Sequence, residues 1–207
     1  KYLVQLHDAK TRQDSTPELE VRFGTMGFKN ITNIEFNNVM KKLKSLNFIC
    51  SDENYTLKIG SEFTDKKTGQ TKDSNVRTEI SGLHNIQAYC NSNSLTEKMT
   101  PQFNQKSLYK NEKDELIRPI NINEYNIKIS LQQENIINTH SSFAKNIMSN
   151  WGDHKKTFRY INRVSFTHFD LPIRVDMSIV KESNNEEFEN KGRKFKRMKS
   201  EYSIETS

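Results

Sequence analysis

The 207-residue chain carries 32 Lys and Arg against 26 Asp and Glu, a formal charge of +6, with a pI near 9.2 and a mean hydropathy of -0.87. Its length suits one domain with its own core, and 12 Phe and 7 Tyr spread along it argue against a disordered chain despite a hydrophobic content of only 33%. No apolar run approaches the ~20 residues of a membrane-spanning helix and no signal-peptide pattern opens the chain; Cys50 and Cys90 form no CxxC or Cys/His cluster, which fits a reduced intracellular protein, and the basic balance favours a polyanionic partner, nucleic acid or polyphosphate.

In chain order, a short apolar opening at Tyr2-Leu3-Val4 precedes the first predicted strand, Glu18-Leu19-Glu20-Val21-Arg22-Phe23. Alternation puts Leu19, Val21 and Phe23 on one face and Glu18, Glu20 and Arg22 on the other. Glutamates at i and i+2 point the same way roughly 7 Å apart. Their repulsion is relieved by a divalent metal or, if this is a solvated edge strand, by water. After Gly24, Thr32 to Phe48 is predicted helical. Thr32 and Glu35 make a capping-box pattern, and Phe36, Val39, Met40, Leu43 and Leu46 form a stripe assigned to the core. Tyr55 to Ile59 is a short strand, followed by a hairpin loop from Thr64 to Ser74.

Val76 to Ser81 alternates again, with Arg77, Glu79 and Ser81 on one face. Gly82 to Pro101 is a helix or turn region that turns Ile86 and Tyr89 inward, and Lys110 follows Leu108-Tyr109 in a short extended stretch. Tyr125 to Glu134 is a strand with Tyr125, Ile127, Ile129 and Leu131 on its apolar face and Lys128, Ser130, Gln132 and Glu134 on its polar one. Phe143 to Trp151 makes a turn of helix. Thr157 to Phe169 and the stretch from Ile173 read as antiparallel neighbours, with Arg159, Arg163 and Ser165 on one polar face and Arg174, Asp176 and Ser178 on the other. A basic loop, Lys191 to Lys199, then leads into Glu201-Tyr202-Ser203-Ile204-Glu205, where alternation resumes.

Strands outnumber helices and follow one another directly, so the fold is mainly β (α+β) with an antiparallel sheet. Its polar faces hold carboxylates and guanidiniums rather than an ordinary solvent-facing mixture. Closed into a barrel, these faces share one lumen, and helices such as Thr32 to Phe48 pack outside. Buried charges of both signs need a ligand that satisfies both. A metal-bound polyphosphate does so, since carboxylates hold Mg²⁺ or Mn²⁺ while Arg and Lys clamp phosphate oxygens. Rival phosphate chemistries lack their motifs: there is no GxxxxGK[ST], no GxGxxG after a strand, no cysteine-phosphatase loop, no GxSxG and no HExxH.

ELEVRF at Glu18 to Phe23 resembles the ExExK/R strand of the triphosphate tunnel metalloenzymes. FRYINRVSF and IRVDMSIVK resemble later strands of the RNA triphosphatase domain in mRNA-capping enzymes of large cytoplasmic DNA viruses, and Lys128 in NIKISLQQE fits the same pattern. The resemblance spans Glu18 to Lys181. It implies an eight-stranded antiparallel tunnel that removes the γ-phosphate of 5′-triphosphate RNA with Mg²⁺ or Mn²⁺. By matched positions, Glu18 and Glu20 are metal ligands and Asp176 holds the metal's water shell. Glu134 positions the attacking water. Arg22, Arg77, Lys110, Lys128, Arg159, Arg163 and Arg174 are phosphate clamps, with Lys128 and Arg163 the best matched.

The family closes its metal site with a second Glu-x-Glu on the last strand. Here Glu201 and Glu205 stand four apart with Ser203 between, and Glu205 is the candidate ligand. Either the pattern is degenerate or the run lies beyond Ser207; the second is favoured because Thr206-Ser207 reads as a linker. The whole chain is thus read as one triphosphatase-like domain opening a longer capping enzyme. The same resemblance implies fused or associated guanylyltransferase and methyltransferase domains, no membrane partner, and a place in the cytoplasm, in a viral factory or virion. Two alternatives stay open: a tunnel hydrolase of tripolyphosphate or nucleoside triphosphates, and a nonenzymatic RNA-binding β-domain. The basic loop favours RNA as a second polyanion-binding surface, unless it is simply a solvated connection.

Overall fold

The computed structural model describes residues 16–23, 31–64, 71–111, 113–153, 155–183 and 197–206, the last of these as backbone. Tyr2-Leu3-Val4, Gly24, the centre of the predicted 64–74 loop and the first six residues of the basic loop lie outside the described residues. Among the described residues ten strands and three α-helices follow in chain order: β1 (Thr16–Phe23), α1 (Asn33–Ser45), β2 (Ile49–Cys50), β3 (Asn54–Thr64), β4 (Thr71–Ser81), α2 (Leu83–Ser92), β5 (Gln102–Leu108), β6 (Ile120–Ile122), β7 (Ile127–Ile137), α3 (Ser142–Ser149), β8 (Lys156–Thr167), β9 (Ile173–Ser183) and β10 (Arg197–Thr206).

Eight of these strands close on themselves in the order β1-β10-β9-β8-β3-β4-β5-β7 and back to β1, with every pairing antiparallel. Closure removes the edges that an open sheet would expose. β6 and β2 are short additions on β7 and β8. β10 is the strand that completes the ring: it pairs with β9 from Arg197 to Thr206 and with β1 through Glu20↔Glu205. Thr206, expected as linker, is its last residue and pairs with Ile173.

The apolar side chains of β1, β3, β4, β7, β8 and β9, with Phe103 of β5, point outward into three clusters roofed by the helices or loops. In the largest, Leu57, Ile59, Val76, Ile80, Phe103 and Phe158 pack against Ile86 and Tyr89 of α2 and against Trp151. A second holds Leu19, Leu131, Tyr109 and Ile117. In the third, Phe36, Met40 and Leu43 of α1 cover Phe166, Val175 and Met177. α1 starts where the sequence places it, because Thr32 Oγ1 accepts from the Glu35 amide while the Glu35 carboxylate accepts from the Thr32 amide. Its stripe is narrower than expected: Val39 and Leu46 are exposed, since the curved wall touches only the Phe36 side of the helix. The strand predicted from Tyr125 instead begins at Ile127; 123–125 form a 3₁₀ turn and Asn126 sits at φ 54°, a conformation that asparagine tolerates.

Phe103 is 0% exposed beneath α2, so Phe103→Ala should cost about 3–5 kcal/mol by lost burial and a residual cavity. Ile136→Ala, at a position 76% exposed, should stay within about 0.5 kcal/mol. Urea denaturation of the two variants measures the difference.

Candidate functional site

The inward faces of the barrel enclose a cavity of about 220 Å³. Seven of the eight ring strands line it with side chains: Glu18, Glu20 and Arg22 from β1, Lys58 from β3, Arg77 and Glu79 from β4, Lys106 from β5, Glu134 from β7, Arg159, Ile161 and Arg163 from β8, and Arg174, Ser178 and Val180 from β9. The backbone register of β10 sets Glu205 opposite both Glu20 and Arg174, and Ser203 opposite both Arg22 and Asp176. Seven cations thus face four glutamates across the described lining, an excess that favours an anionic ligand. The volume is below the ~300–1,000 Å³ of pockets that engulf drug-sized ligands, so it suits an anionic head group rather than a whole nucleotide.

The charges hold one another in place. Lys58 pairs with Glu79 at 2.7 Å, and Arg159 with Glu182 at 3.3 Å. Lys106 joins two walls, donating to Glu18 at 2.6 Å and lying 3.4 Å from Glu134. Burial acts to lower the pKa of its ammonium, but the hydrogen bond to Glu18 and the charges of Glu18, Glu134 and Glu20 outweigh it and hold the group above its ordinary value.

Two buried carboxylates behave in opposite ways. Asp176 is 1% exposed and lies behind the cavity wall. It accepts from Arg163 Nη1 at 2.7 Å, Arg174 Nε at 3.2 Å and Ser165 Oγ at 2.6 Å, while Arg163 Nε donates to Ser178 Oγ at 3.1 Å. The aspartate is satisfied and fixes two guanidiniums. Glu20 is 3% exposed; its Oε1 meets Arg22 Nε at 2.8 Å, yet its Oε2 has no hydrogen-bond partner among the described residues. A buried carboxylate oxygen without a partner is costly, and Glu20 is part of the cavity lining, where a hard cation would suit it. Among the described residues no three His, Cys, Asp or Glu side chains form a metal cluster. Glu18 and Glu20 are neighbouring carboxylates of the lining that could hold a divalent ion, and the register sets Glu205 opposite Glu20.

Most sequence candidates converge here. Glu18, Glu20, Arg22, Arg77, Glu134, Arg159, Arg163 and Arg174 line the cavity, and Asp176 stands behind it. Lys128 pairs in register with Arg22 but does not line the cavity. The Glu205 side chain lies outside the description. Lys110 is elsewhere: the chain has left the β5 ladder by then, and its exposed ammonium pairs with Asp114 at 2.8 Å on a turn. Lys106 and Lys58 were missed. Alternation through Tyr55, Leu57 and Ile59 was the available signal for Lys58, whereas β5 has polar residues on both faces and offers none for Lys106.

The whole ring has the fold of a known tunnel. The chain superimposes on the crystal structure of the RNA triphosphatase domain of a trifunctional mimivirus mRNA capping enzyme with a TM-score of 0.60 and 17% identity, covering 99% of this chain and 85% of that one. A second crystal form of the mimivirus capping enzyme triphosphatase gives a TM-score of 0.61 at 17% identity, over 100% and 86% of the two chains. No family model matches the sequence, and no curated protein matches it. At this identity the likeness shows the fold: a closed antiparallel β-barrel of the kind seen in the mimivirus domain.

Proposed function

We propose that the chain is a metal-dependent polynucleotide 5′-triphosphatase that hydrolyses the γ-phosphate of triphosphate-ended RNA, the first step of mRNA capping. The observation that carries this reading is the Glu20 carboxylate, buried in the lumen with one unpartnered oxygen and surrounded by a ring of Arg and Lys, in a fold shared with an RNA triphosphatase domain. Glu18 and Glu20 would hold Mg²⁺ or Mn²⁺, with Glu205 brought opposite Glu20 by the register of β10. When bound, the metal polarises the terminal phosphate.

The chain's own residues do the rest. Arg163 and Arg174, locked by Asp176, present pre-oriented guanidiniums to the non-bridging oxygens, so little reorganisation is needed as charge shifts toward the leaving group. Arg22, Arg77 and Arg159 complete the clamp, and Lys128 supports Arg22 from the adjoining strand. Lys106 neutralises the neighbouring carboxylates and keeps Glu134 within the lumen, where that glutamate orients the attacking water. The trifunctional mimivirus enzyme supports extending the proposal to association with further capping domains.

The test is release of labelled γ-phosphate from 5′-triphosphate RNA, with and without Mg²⁺ or Mn²⁺. A metal-dependent yield of diphosphate-ended RNA is expected, faster than hydrolysis of tripolyphosphate or ATP. RNA binding without phosphate release would sink the enzymatic reading.

A further inference from the structure

On the outside of the barrel, a groove of about 350 Å³ runs between the first turns of α1 and the wall made by β8 and β9. Asn33, Phe36, Asn37 and Met40 line it from the helix, and their spacing puts them on one face. A helix that served only to cover a core would carry apolar residues at all four places. Here Phe36 and Met40 reach the third cluster, while the two asparagines are exposed and their amides make no hydrogen bond among the described residues. Across the groove stand Val164 and Ile179, half-buried at the margin of that cluster, with Asn162 and Glu53 beside them. Asn162 Oδ1 is buried without a hydrogen-bond partner among the described residues, a cost that a donor from a ligand would remove. Glu53 accepts from the Tyr55 hydroxyl and lies 3.5 Å from Asn162 Nδ2. It pairs with no cation among the described residues, and no Lys or Arg lines the groove. On a chain of net charge +6 this groove is acidic, and it repels phosphate where the lumen attracts it.

We infer that the groove docks an extended basic segment of a partner protein: the aliphatic stem of a Lys or Arg lies across Phe36, Met40, Val164 and Ile179, its charged head meets Glu53, and the peptide groups on either side pair with the asparagine amides. Lys and Arg suit such a site because they join an apolar stem to a charged head. A side-chain amide offers both a donor and an acceptor, as a peptide group requires. The site is separate from the lumen, since Asn162 and Val164 project from β8 on the side opposite Arg163. The inference therefore does not depend on the triphosphatase reading.

The probe is a pentapeptide blocked at both ends, with a central lysine between two valines, titrated into the isotope-labelled chain and followed by NMR. A glutamate-centred pentapeptide and an RNA tetramer without a triphosphate are the comparisons. The lysine peptide is expected to shift the side-chain amide signals of Asn33, Asn37 and Asn162 and to bind at least about 5-fold more tightly than the glutamate peptide. Glu53→Lys should remove that preference. Asn37→Trp, at an exposed position, should fill the groove and weaken the lysine peptide by about 10-fold or more. The comparison between peptides is made on wild type and needs no variant to fold. Equal binding of the two peptides, asparagine signals that stay fixed, or the same shifts produced by the RNA or by raising the protein concentration alone would overturn the inference.

Discussion

Glu20→Gln is expected to reduce γ-phosphate release from triphosphate-ended RNA by about 1,000-fold or more while leaving the fold intact. The size follows from removing a carboxylate from a metal and phosphate site whose electrostatics supply most of the catalysis. The mild effect on stability follows from its geometry. Only Oε1 of Glu20 is committed, to Arg22, and Oε2 is buried without a partner among the described residues. An isosteric neutral amide therefore removes a desolvated half-charge at about the cost of one ion pair. Thermal melts separate the two effects. Wild type should gain stability on adding Mn²⁺, as any ligand of the native state requires, and Glu20→Gln should lose that gain while keeping its metal-free midpoint within a few degrees. A metal-free midpoint that falls sharply would assign Glu20 a structural role instead.

Asp176→Ala should behave in the opposite manner. The carboxylate is satisfied by Arg163, Arg174 and Ser165, and its removal leaves two guanidiniums in the barrel wall without their shared acceptor. Asp176 is buried but Arg163 and Arg174 are 31% and 43% exposed, so solvent screens the guanidiniums left behind and the loss is about 1–3 kcal/mol, which in a domain near this size lowers the melting midpoint by roughly 5 °C. Activity should fall as well, chiefly through kcat, because the two clamps lose the orientation that stabilises charge shifting toward the leaving group. Asp176→Asn, which can still accept from one guanidinium, should recover part of the stability. If Asp176→Ala melts like wild type, the wall is held by other contacts and the clamp is not pre-oriented.

This contrast marks what the sequence could and could not convey. Alternation alone put Glu18, Glu20 and Arg22 on one face of β1, and Arg163 and Asp176 on facing strands, because each of these strands has a largely apolar opposite side, interrupted on β8 by Asn162. The same logic failed on β5. Asn104, Gln105, Lys106 and Ser107 are polar on both faces, so Lys106, the residue that ties Glu18 to Glu134, had no periodic signature. Lys110, which the family resemblance offers as a clamp, follows Leu108 and Tyr109, but Tyr109 turns into the second outer cluster and the chain departs from the ladder there. Nor does spacing reveal that Asp176 is saturated and Glu20 is not. That difference depends on which side chains arrive from other strands, and the register of the closed ring decides it.

The proposed chemistry requires a divalent cation at Glu20 in the lumen with a triphosphate beside it. The most direct measurement is a crystal of the protein soaked with Mn²⁺ and tripolyphosphate, read by anomalous scattering. The account predicts a manganese peak in contact with the Glu20 carboxylate and phosphate density against Arg163 and Arg174. A manganese peak elsewhere, or phosphate bound in the lumen with no metal at Glu20, would contradict it.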